Sequence, residues 1–250
     1  MKTRLPLVAA LVAMTATPLA AFDLSQMTEE ERMIFRSEVR NYLMDNPEVL
    51  LEAINVLEQR QAEVQAANDV TLVETNSDEL FDDGYSWVGG NPDGDITIVE
   101  FMDYRCGYCR KAHPEVSELI ESDGNIRYIV KEFPILGEQS VLASRFAIAV
   151  KAVEGDEAYG TVHDLLMTMR GEVTEEGLSA MSEEQGFDTP AVFDAMNSAE
   201  TETIIAQNRA LAQRMAISGT PSFIFESEMV RGYVPLDGMR EILAEVRAEG

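Results

Sequence analysis

Both cysteines of this 250-residue chain fall inside one tetrapeptide, Cys106-Gly107-Tyr108-Cys109. A bridge across so short a loop removes little entropy from an unfolded chain, so no disulfide framework can hold the fold together. Stability has to come from an ordinary apolar core. Hydrophobic residues at 46% and charged residues at 26% are enough to build one or two domains of usual size. With Lys plus Arg at 19 and Asp plus Glu at 45, the formal net charge is −26. That balance excludes a nucleic-acid partner, whose phosphates demand a basic face, and disfavours anionic lipid surfaces. The thiols are left free for chemistry.

The chain opens with Lys2 and Arg4, an apolar run from Leu5 to about Ala16, and the small-residue stretch Thr17-Pro18-Leu19-Ala20-Ala21. This is the layout of a secretory signal peptide over residues 1–21, cleaved near Ala20 or Ala21. The run is too short to span a bilayer. Export would place the mature chain in an oxidising compartment, the periplasm.

Residues 22–70 carry helical patterning. Thr28 followed by Glu29, Glu30 and Glu31 provides a cap and acids at a helix start. Phe35, Val39 and Tyr42 recur until Asp45-Asn46-Pro47 interrupts. Beyond it Leu50, Ile54, Leu57 and Val64 repeat at 4-3-7 spacing, with Gln61 in the missing seam position. Such a stripe needs a partner, either the protein's own body or the same helices of another protomer. Residues 71–84, polar and rich in acids, read as a linker.

From Tyr85 the pattern changes. Gly89-Gly90-Asn91-Pro92-Asp93-Gly94 is a dense turn signal, and Ile96 to Met102 is strand-like. A helix follows from Cys106, with Pro114 inside it, and Ile126 to Val130 alternates as a second strand, a crossover of parallel type. A helical insert occupies about 138–217, with Thr189-Pro190 as a cap-then-proline start. Ser222 to Phe225 and Met229 to Val234 form a hairpin, and Leu236 to Ala248 a terminal helix.

Two cysteines at a helix start have a definite chemistry. The first sulfur lies near unsatisfied backbone N–H groups and the positive end of the helix dipole, which favour thiolate, the attacking species in disulfide exchange. The second is close enough to resolve a mixed disulfide. Cys106 is therefore the expected nucleophile and Cys109 the resolving thiol, and their exchange needs no cofactor. One alternative uses Cys106, Cys109 and His113 to bind copper or zinc, with Met102, Met167 and Met169 as further soft donors; the methionines fit core filling better, and no resident metal is expected.

The order strand, CGYC helix, strand, helical insert and Thr220-Pro221 before a strand resembles the thioredoxin superfamily, over about Tyr85 to Gly250. The insert resembles its DsbA-like branch. The fold implied is α/β, a thioredoxin fold with a DsbA-like helical insertion, preceded by an N-terminal helical segment. Glu100 matches the acid buried beneath the resolving cysteine, and Lys131 resembles the lysine that often accompanies it. Pro221 matches the cis-proline beside which substrate strands pair. CGYC with Thr220 before that proline is similar to disulfide isomerases of the DsbC type. The helical segment ahead of the domain resembles the ScsC group, envelope proteins associated with copper tolerance, some of which self-associate.

The resemblance implies a protein disulfide oxidoreductase that isomerises or reduces disulfides of unfolded or misoxidised exported proteins. A membrane redox partner and a homo-oligomer built through residues 22–70 go with it. A net oxidase of the DsbA type and a copper-binding chaperone are the alternatives. Cys106, Cys109 and Glu100 would be catalytic; Thr220, Pro221 and Tyr108 would contact substrate. Glu100 could instead be an acid at a strand edge, and Thr220-Pro221 an ordinary trans turn. The uncharged Gly107-Tyr108 pair implies a poise less oxidising than DsbA, at about −120 mV.

Overall fold

The computed structural model describes residues 27–249, so the expected signal peptide lies outside the described residues. The chain divides into two compact units, one up to Gln59 and one from Arg60 onward.

In the first unit, helix α1 spans Glu29–Asp45. Thr28 closes its start with a capping box: Thr28 Oγ1 accepts from the Glu31 N–H at 3.3 Å, and Glu31 returns an oxygen to the Thr28 N–H at 2.8 Å. No α1 residue is buried. After Asn46-Pro47, α2 runs over Glu48–Thr75. Phe35, Tyr42, Leu50, Ile54 and Leu57 all stand largely open to solvent in the single chain.

The helix continues well into the region expected to be a linker. Within the second unit Asp69 and Val73 of α2 are buried, and Asp69 takes a bidentate bond from Arg231 at 2.7 and 2.8 Å. Helix α3 (Ser77–Phe81) follows at once, with Leu80 fully enclosed. Residues 71–81 are thus packed helix, because Val73 and Leu80 supply apolar anchors that the surrounding acids obscure in the sequence.

A five-stranded sheet carries the body. Its strands are β1 (Trp87–Gly90), β2 (Ile96–Met102), β3 (Ile126–Glu132), β4 (Ser222–Phe225) and β5 (Glu228–Arg231), in the order β1-β3-β2-β4-β5. β2 and β3 are parallel, joined through α4 (Gly107–Asp123), and the other pairs are antiparallel. β1 replaces part of the expected turn: Gly89 and Gly90 pair with Tyr128 and Arg127. Glycine is needed at both. The Trp87 ring folds over Gly89, where a Cβ would lie 2.3 Å from it, and Gly90 has φ +69°.

Between β3 and β4 lie α5 (Glu138–Glu154), α6 (Asp156–Thr168), α7 (Glu175–Gln185), α8 (Thr189–Met196) and α9 (Ala199–Arg214), and α10 (Leu236–Glu249) ends the chain. The cap of α8 is Asp188 rather than Thr189; its carboxylate accepts from the Ala191 N–H, and Pro190 sits in the first turn. Period-2 alternation sorts the strands between two cores. Ile98, Met102, Tyr128, Val130, Phe223 and Phe225 face the larger one with α4 and the insert; Val99, Phe101, Ile129 and Ile224 face the smaller, with Val73, Leu80 and the end of α9. Each fully buried side chain of this size is worth about 1.5–3 kcal/mol. None of the described helices is long and apolar enough to cross a membrane.

Candidate active site

β2 delivers the chain to the turn Asp103-Tyr104-Arg105, and Cys106 takes the cap position of α4. Asp103 shapes that turn. Its Oδ1 accepts from the Arg105 N–H at 2.7 Å, its carbonyl from the Cys106 N–H at 3.0 Å, and its Oδ2 from the N–H groups of Ile135 and Leu136 at 2.8 and 3.0 Å. One fully buried carboxylate therefore ties the cysteine turn to the loop after β3.

The two thiols sit in unlike surroundings. Cys106 is 7% exposed, and its Sγ lies 3.1 Å from the Thr220 carbonyl. Its pKa is lowered to about 5, first by the hydrogen bond from Cys109 and then by the Thr220 side chain and the backbone N–H groups of Cys109 and Tyr108, against an opposing effect of burial. Cys109 is wholly enclosed, and its thiol is driven far above the ordinary range by burial, by the bond it makes to Cys106, and by the charge of Glu100. A thiol held as low as that of Cys106 is ionised at neutral pH, the form that attacks disulfides. Cys109 keeps its proton until something takes it.

Glu100 is 2% exposed, at the centre of β2 between Val130 and Phe223. Burial pushes its pKa up to about 8, with the charge on Cys106 adding to the rise, while a hydrogen bond donated by the Tyr128 hydroxyl opposes it. A carboxyl of that kind can exchange a proton near neutrality.

Thr220–Pro221 is a cis peptide immediately before β4. Tyr108 is 63% exposed, its ring 6.1 Å from that of Tyr233; Lys111 Nζ lies 4.1 Å over the Tyr233 ring. The Thr220 carbonyl and the backbone N–H groups of Tyr108 and Cys109 thus border the Cys106 sulfur.

Lys131 does not accompany Glu100. Parallel register puts Val130 opposite Glu100 and Lys131 opposite Phe101, so Lys131 points to the other face of the sheet. There Nζ pairs with Asp83 and donates to the Glu79 carbonyl at 2.7 Å. His113 turns to Asp164, with Nε2 3.2 Å from the carboxylate. Met102 and Met167 are buried in the larger core and Met169 packs against it. Among the described residues no group of three or more His, Cys, Asp or Glu side chains is placed to hold a metal ion.

Four residues of the site escape the sequence reading: Asp103, Tyr128, Tyr233 and Glu132. Glu132 is a second buried acid, accepting from the hydroxyls of Tyr104, Tyr159 and Ser144 at 2.8, 2.6 and 2.6 Å. Burial raises its pKa to about 7. Its signal was legible, since residue 132 shares the sheet face of Tyr128 and Val130.

A thioredoxin family model matches residues 82–245. The chain belongs to the thioredoxin family. A second model, the N-terminal domain of the copper resistance protein ScsC, matches residues 32–63. Among solved structures, a thioredoxin-like oxidoreductase from Silicibacter pomeroyi DSS-3 is 40% identical, covering 68% of this chain and 97% of that one, with TM-score 0.64. Proteus mirabilis ScsC in a transitional conformation is 25% identical over 91% of this chain and 100% of its own, with TM-score 0.65. A periplasmic thioredoxin-like protein from Salmonella enterica serovar Typhimurium is 27% identical, covering 69% and 95%, with TM-score 0.61. The chain spans about a quarter of the length of the curated relatives it matches, such as the Na(+)/H(+) antiporter NhaA 1 of Salinispora arenicola (28% identity over 152 residues, 61% of this chain and 23% of that protein). Within this thioredoxin family the chain stands among ScsC and DsbA-like thiol–disulfide exchange proteins. CGYC at the head of α4 falls inside the matched domain, and Thr28 to Gln59 carry most of the ScsC-type segment.

Proposed function

We propose that the chain is a periplasmic thiol–disulfide oxidoreductase that isomerises or reduces incorrect disulfides in exported proteins, working as a homo-oligomer joined through its N-terminal helices. The observation that carries the reading is the contrast between the two thiols. Cys106 thiolate attacks a client disulfide, forming a Cys106–client bond and expelling the other client sulfur as thiolate. From that mixed disulfide two exits exist. A second client thiolate can displace Cys106, which rearranges the client and returns the enzyme unchanged. Alternatively Cys109 loses its proton to Glu100 and attacks Cys106 Sγ, which releases reduced client and leaves the Cys106–Cys109 disulfide for a membrane redox partner to reduce. A resolving thiol so reluctant to ionise slows the second exit and lengthens the time for rearrangement.

Tyr108, Thr220 and Pro221 supply the surface against which an extended client segment lies, and the uncharged Gly107-Tyr108 pair keeps the couple less oxidising than a CPHC site. The apolar side chains on α1 and the start of α2 supply the association surface. Two assays run side by side on the full chain test the reading: reactivation of scrambled ribonuclease, and oxidation of a reduced dithiol peptide. Efficient reactivation with slow peptide oxidation is expected. Fast oxidation without reactivation would identify a net oxidase instead. A copper-binding role, for which Cys106 and Cys109 are the soft donors, is tested by Cu(I) titration of the reduced protein against a chelator.

A further inference from the structure

With its pKa raised to about 8, Glu100 already holds a proton at neutral pH and must give it up before it can take the one on Cys109, as it must again after resolution. The superfamily's usual basic neighbour is absent from its side of the sheet, since Lys131 is occupied with Asp83 on the opposite face. The group that touches the carboxylate is the Tyr128 hydroxyl, itself buried. Tyr128 also forms part of the wall of a cavity of about 150 Å³, lined further by Trp87, His113, Ser117, His163 and Asp164. The cavity has room for several waters.

Hydrogen-bond logic gives the cavity wall an open acceptor. The Tyr104 hydroxyl donates to Glu132, so toward His163 Nδ1, 3.2 Å away, it acts as acceptor and Nδ1 carries the proton. His163 Nε2 is then a bare acceptor, buried and without a partner. Next to it His113, its side chain 14% exposed, bonds Asp164, whose side chain is 69% exposed. Tyr128, which bonds the buried acid, and the His163, His113 and Asp164 side chains that lead to solvent thus line one cavity.

We propose that the proton Glu100 takes from Cys109 leaves through the Tyr128 hydroxyl into the cavity walled by His163, His113 and Asp164, and from there to bulk water. This rests on the proposed role of Glu100 as acceptor of that proton. The hand-over balances: protonated Glu100 gives its proton to the Tyr128 oxygen while the Tyr128 O–H proton passes to a cavity water, so Tyr128 ends neutral and Glu100 ends as carboxylate. Transfer through a neutral tyrosine leaves no buried tyrosinate, whose formation burial and the Glu100 charge oppose strongly.

The test follows single turnovers of the full-length reduced protein with a fluorescent disulfide peptide, resolving attack from release. Tyr128→Phe keeps the ring against Trp87 and removes the relay oxygen. Release should slow by roughly ten-fold or more while the attack phase is unchanged. Release rates in H₂O/D₂O mixtures should trace a curve in the wild type, with several protons in flight, and a straight line in Tyr128→Phe; a merely structural defect would not change that shape. Ser117→Leu, which fills the cavity without touching the hydroxyl, should slow release as well. Wild-type release in Tyr128→Phe, or in Ser117→Leu if the first variant does not fold, overturns the route. Glu100→Gln separates the two ideas: unaltered release in that variant removes Glu100 as acceptor, whereas slow release there with normal release in Tyr128→Phe removes the exit alone.

Discussion

At the scale of single residues, the site works by giving chemically identical groups opposite environments. Cys106 has the amide N–H groups at the head of α4 and a thiol donor beside it, and its pKa falls to about 5; Cys109, one turn on, is driven up by burial, by the bond it gives to Cys106 and by the charge of Glu100, which a backbone bond at Asp103 only partly offsets. Alkylation of reduced protein with iodoacetamide should show a midpoint near pH 5 for Cys106 and little reaction at Cys109. Because the bond from Cys109 is the largest cause of the lowered value, Cys109→Ala should move the midpoint upward; an unmoved midpoint would assign the effect to the helix alone. Glu100 titrates the other way. Its folded pKa of about 8 exceeds the ordinary 4.5, so between those values the folded state retains a proton that the unfolded chain has released. Its stabilisation is intact below pH 4.5 and lost as pH rises through 8. Glu100→Gln should therefore leave thermal stability nearly unchanged at pH 4 and raise Tm at pH 9 by at least about 4 °C, since about 1 kcal/mol moves Tm roughly 2–4 °C in a domain this large. Equal shifts at both pH values would mean that the carboxyl is not charged at high pH.

At the scale of elements, what the sequence disclosed depended on whether the signal was local. β2, the CGYC helix, the helical insert and α10 announce themselves through alternation, caps and apolar spacing, all confined to a few residues. β1 did not, because Gly89 and Gly90 look like a turn unless one knows that Trp87 lies across them and that β3 offers them partners. α3 and the end of α2 were hidden by acids whose partners, Arg231 for Asp69 and Arg214 for Glu79, lie 162 and 135 residues away. The placement of Lys131 could have been read, since residues 100 and 131 fall on opposite faces in the register of a parallel pair, whereas Tyr128 shares the face of Glu100. Lys131 instead pins the segment after α3 to the sheet through Asp83 and Glu79. Asp83→Ala strands an ammonium that is 0% exposed and should cost about 3 kcal/mol or more in urea unfolding. Lys131→Met, which removes the charge and keeps the volume, should cost distinctly less. Equal losses would show the pair to be held by packing and not by charge.

For the whole molecule, the decisive quantities are a net charge of −26 and an apolar surface concentrated ahead of residue 71. Copies of so acidic a protein repel one another, so any association has to bury enough apolar area to overcome that repulsion. Phe35, Val39, Tyr42, Leu50, Ile54, Leu57 and Val64 are exposed in the single chain and recur along the helices, the layout of a face that needs a partner. Added salt screens the repulsion and leaves the apolar contact intact, so association should tighten with ionic strength, the reverse of an interface held by ion pairs. Native mass of the full chain should exceed that of one copy, and the pair of changes Phe35→Glu and Ile54→Glu should return it to the monomer without lowering the Tm of the thioredoxin domain. Reduction of a small disulfide peptide, which needs one Cys106, should keep its rate per chain in the variant. Ribonuclease reactivation, which on the proposed reading gains from several sites facing one client, should fall several-fold. A monomeric wild type, or a monomeric variant that reactivates ribonuclease at the full rate, would detach the helical segment from catalysis and leave the thiol pair to act alone.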